Sequence, residues 1–165
     1  MATTLVSIEE YLNTAFEGSD REYVDGRIVE RNMGEKPHSF AQLEVGFFFR
    51  AMGRKGVFAY VEQRVQVKPR RFRIPDVCVY VGSDPVDRIF HTPPFLVVEV
   101  LSKDDRDVDI QEKIDDYLTF GVKYIWVVDP GSRRGYVYTS DGCHEVSDDL
   151  WTKDPEFTLP IPQLF

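Results

Sequence analysis

The sequence predicts a single α/β domain over residues 1–165, in which helices cover a mixed β-sheet. Three observations favour this fold class. The chain has 165 residues, 42% of them hydrophobic, which suits one domain with its own core. Short apolar runs typical of buried strands occur at residues 95–101 and 124–128. Between these two runs, apolar residues return every three or four positions over residues 108–120, as on one face of a helix.

The first thirty or so residues predict a short helix and a hairpin. Ser7 stands three residues before Glu10, the spacing of a capping box at a helix N-terminus. Asp25-Gly26 separates two short runs of alternating polarity, and this dipeptide favours the tight turn of a β-hairpin. We therefore expect a helix from about Ser7 and paired strands on either side of Asp25-Gly26.

Residues 37–55 predict a long helix, with Pro37 at its start and Gly56 just beyond its end. Its apolar residues surround almost the whole helix, and a helix of this kind has to be covered on more than one side. We expect the sheet to cover one side. We expect the face carrying residues 47–49 to contact a second copy of the chain in a homodimer.

The remaining elements follow in order. Residues 57–68 predict one strand, residues 68–73 a basic turn and residues 77–81 another strand. The helix over residues 108–120 is expected to end at Gly121, a residue suited to a helix C-cap. Beyond the strand at 124–128, a hairpin is predicted over residues 135–146, and the proline-containing C-terminal segment is predicted to be extended and docked by its apolar side chains.

The composition excludes several classes of protein. The net charge is −8, which disfavours a nonspecific coat for nucleic acids, because such binding depends on Lys and Arg near phosphates. Cys78 and Cys143, together with 3 histidines, give neither zinc-ligand spacing nor a disulfide framework. The chain contains no apolar run as long as a membrane span, and its N-terminus lacks the basic region of a secretion signal. We expect a cytoplasmic protein with no membrane partner.

Two carboxylates and one lysine stand out as candidates for chemistry. Glu99 lies inside an apolar strand, where a charge needs a partner or a metal, and Asp76 follows Pro75 at the start of another strand. Carboxylates held close together on rigid strands repel each other, raise one pKa, or bind a divalent cation such as Mg²⁺. Lys113 lies on the shoulder of the apolar helix face, from which its ammonium can reach the sheet edge.

Each of these residues also has a purely structural interpretation. Asp76 can cap the entry of a strand by accepting backbone N–H bonds, and Glu99 can form a buried salt bridge with Lys113 that has no chemical role. Lys113 can equally be a solvated helix lysine, paired with Asp109 or Asp116.

In this order the residues resemble the PD-(D/E)xK nuclease superfamily and, within it, a bacterial group of endonucleases, the Uma-two group. A bare PD followed by a later acidic residue occurs often by chance, so the specificity lies in the whole ordered set. The resemblance covers nearly the whole chain, and the segments that carry it are residues 22–27, Pro75-Asp76, residues 98–102, Lys113, Tyr117, residues 121–122, residues 124–130 and Leu164-Phe165.

The resemblance implies a restriction-endonuclease-like core in which Asp76 and Glu99 bind Mg²⁺ or Mn²⁺, with the backbone carbonyl of Val100 completing the protein's share. The superfamily's lysine normally stands two residues after the acidic residue, where this chain has Leu101. The resemblance assigns that role to Lys113 on the following helix, as a migrated catalytic lysine. Asp76, Glu99 and Lys113 are therefore the predicted catalytic residues.

Further residues are candidates for accessory roles. His38, at the start of the long helix, can contact a phosphate or metal-bound water, and Glu44 can be the extra acidic residue that many such nucleases carry on their first helix. Both can also be plain surface residues. The basic stretch before Asp76 is the best candidate for contact with nucleic acid, with a solvated hairpin tip as the alternative; its residues are Arg64, Lys68, Arg70, Arg71, Phe72 and Arg73.

The predicted function is a metal-dependent endonuclease that hydrolyses phosphodiester bonds in DNA. Two alternatives stay open. The same fold can be a binding module for DNA or another partner with a weak or unused site, which the acidic net charge favours. It can also be a hydrolase of small phosphorylated or nucleotide substrates that uses the same metal chemistry.

Overall fold

The computed structural model describes residues 5–18, 20–53 and 55–165. The helices in these ranges are α1 (Ile8–Asn13), α2 (Lys36–Ala51), α3 (Asp107–Phe120) and a 3₁₀ helix at Ile161–Leu164. The strands are β1 (Arg21–Val24), β2 (Arg27–Glu30), β3 (Val57–Val61), β4 (Val65–Lys68), β5 (Arg71–Arg73), β6 (Val77–Val81), β7 (Leu96–Val100), β8 (Tyr124–Asp129), β9 (Arg134–Thr139), β10 (Gly142–Val146), β11 (Asp149–Trp151) and β12 (Thr158–Pro160).

A six-stranded sheet in the order β10-β9-β8-β7-β6-β3 forms the centre of the fold. β7 and β8 are parallel, and the other neighbouring pairs are antiparallel. α2 covers one face, where Val45 belongs to the same buried cluster as Trp126. α3 covers the other face, where Ile114 belongs to a second cluster with Val97. The predicted mixed sheet with helices against it is therefore confirmed.

The unit β7-α3-β8 positions the carboxylate and the lysine singled out in the sequence. All residues of β7 are buried, as its apolar composition predicts. α3 ends at Gly121, whose φ of 111° is left-handed and whose N–H donates to the carbonyls of Tyr117 and Leu118. The chain then enters β8 beside β7, with Leu96 opposite Tyr124. This part of the sequence prediction is confirmed almost residue for residue.

The prediction of one strand over residues 57–68 is wrong. The backbone turns at Glu62, which has a φ of 51°, so that β3 joins the central sheet while β4 joins a second sheet in the order β2-β1-β5-β4. The predicted basic turn is wrong as well, because Arg71–Arg73 form β5 between β1 and β4. Phe72 of this strand packs with Tyr11 and Tyr23 in a third buried cluster, separate from the two that flank the central sheet.

The C-terminal segment docks by its apolar side chains, as predicted. Leu159, Ile161 and Leu164 are buried in the cluster beneath α2. The sequence did not predict that β11 and β12 pair in a small sheet. Trp126 Nε1 donates to the carbonyl of Trp151 at 2.9 Å and ties this sheet to the central one.

The outer face of α2 is apolar and open. Phe40, Leu43 and Phe47 are exposed, whereas Phe49 is buried in the core. Residues 47–49 therefore do not form a common outward face, and only Phe47 among them is exposed. None of the helices within the described ranges is long and apolar enough to cross a membrane.

Candidate active site

The pairing of β6 with β7 brings the two predicted carboxylates together. Val77 lies opposite Val98 in this antiparallel pair, and extending the register by one residue sets Asp76 opposite Glu99. Opposite residues in an antiparallel pair direct their side chains to the same face. The backbone N–H of Val100 donates to Asp76 Oδ2 at 2.7 Å, which fixes the Asp76 carboxylate against the end of β7.

Asp76 is buried and surrounded by cations. Arg31 Nη2 lies 2.5 Å from Asp76 Oδ1, and His38 Nε2 lies 3.3 Å from Oδ2. Burial alone would raise the pKa of Asp76, but the hydrogen bond from His38, the charge of Arg31 and the Val100 N–H together hold that pKa below its ordinary value. Asp76 is therefore a carboxylate at neutral pH. The same hydrogen bond raises the pKa of His38, so its charged form is favoured.

Glu99 is buried, and its environment is less favourable to charge. The hydroxyl of Tyr117 donates to Glu99 Oε1 at 2.6 Å, and Lys113 Nζ lies 3.4 Å from Oε2. Burial and the nearby carboxylates of Asp76 and Glu22 nevertheless raise the pKa of Glu99 to about 7, against the opposing effects of Lys113 and Tyr117. Burial is the largest of these effects, so the charged form of Glu99 is less stable here than in water.

Lys113 does not pair with Asp109 or Asp116; it reaches the sheet. Its ammonium lies 3.3 Å from Glu22 Oε1, in addition to its contact with Glu99. Burial alone would lower the pKa of Lys113, but the charges of Glu22 and Glu99 raise it above its ordinary value. Lys113 is therefore a fixed ammonium ion at the end of the two central strands.

Glu22, on β1 of the second sheet, is the other carboxylate that pairs with Lys113. It is 1% exposed, and its Oε1 accepts the N–H of Ile74 at 3.0 Å. Its Oε2 accepts from Arg73 Nη1 at 2.9 Å. Burial would raise the pKa of Glu22, but Lys113 and Arg73 hold it below its ordinary value. A charged Glu22 thus joins the second sheet to the lysine on α3.

The arginines predicted to contact nucleic acid lie in different environments. Arg73 is 3% exposed and bonds Asp116 through Nε and Nη2 at 2.9 and 2.7 Å. Arg71 bonds Asp25 and Asp116. Arg73 is held in buried ion pairs, so it is not placed to contact DNA and that prediction is corrected. Arg71 is only partly buried and its partner Asp25 is about half exposed, so Arg71 stays a candidate. Arg70, between β4 and β5, is exposed and stays a candidate.

A cavity of about 590 Å³ opens over these side chains. Its wall includes Glu22, Arg31, His38, Asp76, Glu99 and Lys113. The remaining charged lining residues are mostly acidic, and they are Arg27, Glu30, Arg73, Asp104, Asp105, Arg106, Asp109 and Glu112. The predicted catalytic residues and His38 therefore share one cavity. Glu44 does not line it.

Three residues of this cluster were not predicted to have a role in it. Glu22 and Tyr117 are among the residues that carry the family resemblance, which gave neither of them a role. Tyr117 was interpreted as part of the apolar helix face. Arg31 follows β2 in an irregular segment, and nothing in the local sequence indicates that it reaches Asp76, 45 residues away.

The donor set is compatible with Mg²⁺ or Mn²⁺. Within the described residues, no group of three or more His, Cys, Asp or Glu side chains is arranged to hold a metal ion. Asp76 and Glu99 supply hard oxygen donors, and Mg²⁺ commonly binds through one or two carboxylates and keeps several waters. Burial raises the pKa of Glu99, and a divalent cation bound beside it would favour the charged carboxylate.

Comparisons with known proteins bear on the family and the fold of the chain. The family described as "Putative restriction endonuclease" (Uma2) matches residues 8–162. A crystal structure described as "a putative nuclease belonging to DUF820", from Anabaena variabilis, is similar, with a TM-score of 0.84 and 23% identity over 97% of each chain. This likeness confirms the predicted fold. None of the curated proteins compared with the chain matches it.

Proposed function

The chain belongs to the Uma2 family, described as "Putative restriction endonuclease", and from this premise we propose that it is a metal-dependent endonuclease hydrolysing phosphodiester bonds in DNA. The observation that carries the proposal is the convergence of Asp76, Glu99 and Lys113 in one cavity. Asp76 directly precedes β6, whereas Glu99 lies on β7 and Lys113 on α3.

Asp76 and Glu99 are the proposed metal ligands. When bound there, Mg²⁺ or Mn²⁺ would act as a Lewis acid on a phosphate oxygen and lower the pKa of a bound water. Tyr117 orients Glu99 by donating to its Oε1, and the Val100 N–H orients Asp76. Both carboxylates are thereby held in place before any ligand arrives, and such preorganisation favours electrostatic catalysis.

Lys113 acts as a cation in this mechanism. Because neighbouring carboxylates raise its pKa, it stays protonated at neutral pH and does not serve as the general base. Its ammonium can donate to the attacking water or to a phosphate oxygen, and it offsets the negative charge that develops on the phosphate. Glu22 fixes the direction of this ammonium from the opposite side.

The proposal is tested with Asp76→Asn and Lys113→Ala, compared with Asp115→Asn and Lys123→Ala. Asp115 and Lys123 are exposed and do not line the cavity. Purified protein is incubated with plasmid, branched and single-stranded DNA in Mg²⁺ or Mn²⁺. The two site variants should lose cleavage and the two controls should keep it. Equal cleavage by Asp76→Asn and wild type would refute the assignment.

The charge of the cavity favours a second candidate function. Acidic side chains outnumber basic ones among its lining residues, as in Asp104, Asp105 and Asp109, and these repel a highly charged duplex. A hydrolase of small phosphodiesters would meet less repulsion. Cleavage of model diesters without any cleavage of plasmid, branched or single-stranded DNA would select this function over the endonuclease.

We also propose a homodimer, because cutting both strands of a duplex calls for two sites. The exposed stripe of Phe40, Leu43 and Phe47 on α2 supports this proposal. Sedimentation velocity on wild type and Phe47→Glu measures it directly. A monomeric wild type at micromolar concentration would refute this interface.

A further inference from the structure

Arg31 occupies a distinctive position in the cavity. It follows β2 in the irregular segment that leads to α2, and its side chain is 13% exposed. Its Nη2 lies 2.5 Å from Asp76 Oδ1, so that a guanidinium stands at one of the two oxygens expected to bind a metal. The charges of Asp76, Glu99 and Glu22 all favour the guanidinium in this position.

The bonding of Arg31 differs from that of the other arginine in the cavity wall. Arg73 uses all three of its guanidinium nitrogens to bond Asp116 and Glu22. Arg31 makes one close ion pair, to Asp76, and its Nη1 lies 3.7 Å from the half-exposed Glu62. Within the described part of the chain, Arg31 therefore keeps N–H groups that can bond another anion, whereas every guanidinium nitrogen of Arg73 already bonds a carboxylate.

A divalent cation at Asp76 has to compete with this guanidinium. Oδ2 already accepts the Val100 N–H and faces His38, and Arg31 takes Oδ1. Two cations at one carboxylate oxygen repel each other strongly in a partly buried site. A phosphodiester brings the negative charge that would stabilise a displaced guanidinium, and guanidinium binds phosphate oxygens with matching, often bidentate geometry.

We propose that Arg31 is a phosphate-binding residue of this site, and that it exchanges Asp76 for a phosphate oxygen when a divalent cation binds Asp76. The inference rests on the proposed function. In the free protein Arg31 forms an ion pair with the Asp76 carboxylate that would bind the metal. In the complex it binds the substrate, so metal and phosphodiester bind with positive cooperativity.

The test measures Mn²⁺ binding by calorimetry, with and without a short phosphorothioate oligonucleotide that resists cleavage. Arg31→Gln removes the competing charge, so its affinity for Mn²⁺ alone should rise about tenfold, while its affinity for the oligonucleotide in Mn²⁺ should fall about tenfold. In wild type the oligonucleotide should tighten Mn²⁺ binding, and in Arg31→Gln this coupling should weaken, leaving the part due to direct contact between metal and phosphate. Arg27→Gln removes an equal charge from the same cavity without touching Asp76, and it should leave the affinity for Mn²⁺ unchanged.

Arg31→Lys covers the case in which Arg31→Gln fails to fold. It keeps the charge but loses the planar fork, so affinity for Mn²⁺ alone should stay near that of wild type while oligonucleotide affinity falls. If Arg31→Gln folds and binds Mn²⁺ no more tightly than wild type, the exchange is refuted. Unchanged oligonucleotide affinity in Arg31→Lys also overturns it. Failure of the proposed function looks different, because Mn²⁺ binding would then be insensitive to Asp76→Asn.

Discussion

Replacing Glu22 by Gln tests the ion pairs that hold Lys113 over the sheet. Glu22 accepts from Ile74 N–H and Arg73 and lies 3.3 Å from Lys113 Nζ. A glutamine fills the same space but has one acceptor oxygen, so in either orientation its NH₂ group faces Arg73 or Lys113. The variant therefore replaces one charge-assisted contact by a repulsive one in a buried site.

The expected loss in free energy of unfolding is about 3 kcal/mol, within the range for removing one partner of a buried charge pair. For a domain of this size that corresponds to a drop in Tm of roughly 6–12 °C. Urea unfolding followed by circular dichroism measures the free energy. The control is Glu30→Gln, since Glu30 pairs with Arg21 while its side chain is 74% exposed, and its effect should stay within about 0.5 kcal/mol.

The result that would refute this reasoning is a Glu22→Gln variant whose urea midpoint and slope equal those of wild type. The interior ion pairs would then contribute no net stability, and Glu22 would not be needed to position Lys113.

Three further predictions concern α3. Lys113→Ala should lower the rate of DNA cleavage by about 100-fold or more while Mn²⁺ binding and fold persist, and full cleavage would remove the lysine from the mechanism. Burial would raise the pKa of Asp116, but Lys68 and Arg73 hold that pKa below its ordinary value. The ionised Asp116 therefore stabilises the fold fully above about pH 4. This stabilisation is lost as the pH falls through the lowered pKa that Asp116 has in the folded state. In urea unfolding, Asp116→Asn should therefore have a lower free energy of unfolding than wild type at neutral pH. Its free energy of unfolding should also change less than that of wild type between pH 5 and about pH 2. Equal pH dependence in the two proteins would contradict this. Gly121→Ala should cost about 1 kcal/mol or more, because φ is 111° and an L side chain is strained in that conformation, and an unchanged Tm would contradict it.

Local patterns in the sequence were sufficient for the elements around the site. The apolar run of β7, the periodicity of α3 and the left-handed Gly121 each depend on neighbours within a few residues. The placement of Lys113 over Glu99 followed from the same patterns, since α3 returns over the face that Glu99 shares with Val97.

The environment of the arginines was not predictable in this way. Arg71 and Arg73 occur beside exposed Arg70 and form a basic run, which is typical of a solvated turn. Their burial depends on Asp116 and Glu22, which lie 43 and 51 residues from Arg73 in the sequence. Pairing over such distances depends on the register of β1 with β5 and on how α3 packs against their sheet, and a single sequence carries no local signal for either.

The break between β3 and β4 was missed for a related reason. Residues with high β-propensity flank the break on both sides, and the chain leaves the strand over residues 62–64, where Glu62 has a positive φ. Glutamate has no preference for that conformation, so its identity does not mark the turn.

The most direct measurement is a crystal structure of the protein soaked in Mn²⁺, with the metal located by its anomalous scattering. If Asp76 and Glu99 hold the metal, one strong anomalous peak should lie within coordination distance of both carboxylates, close to the Lys113 ammonium. A peak elsewhere in the molecule, with Asp76 and Glu99 bonded only to protein side chains at millimolar Mn²⁺, would contradict the proposed site.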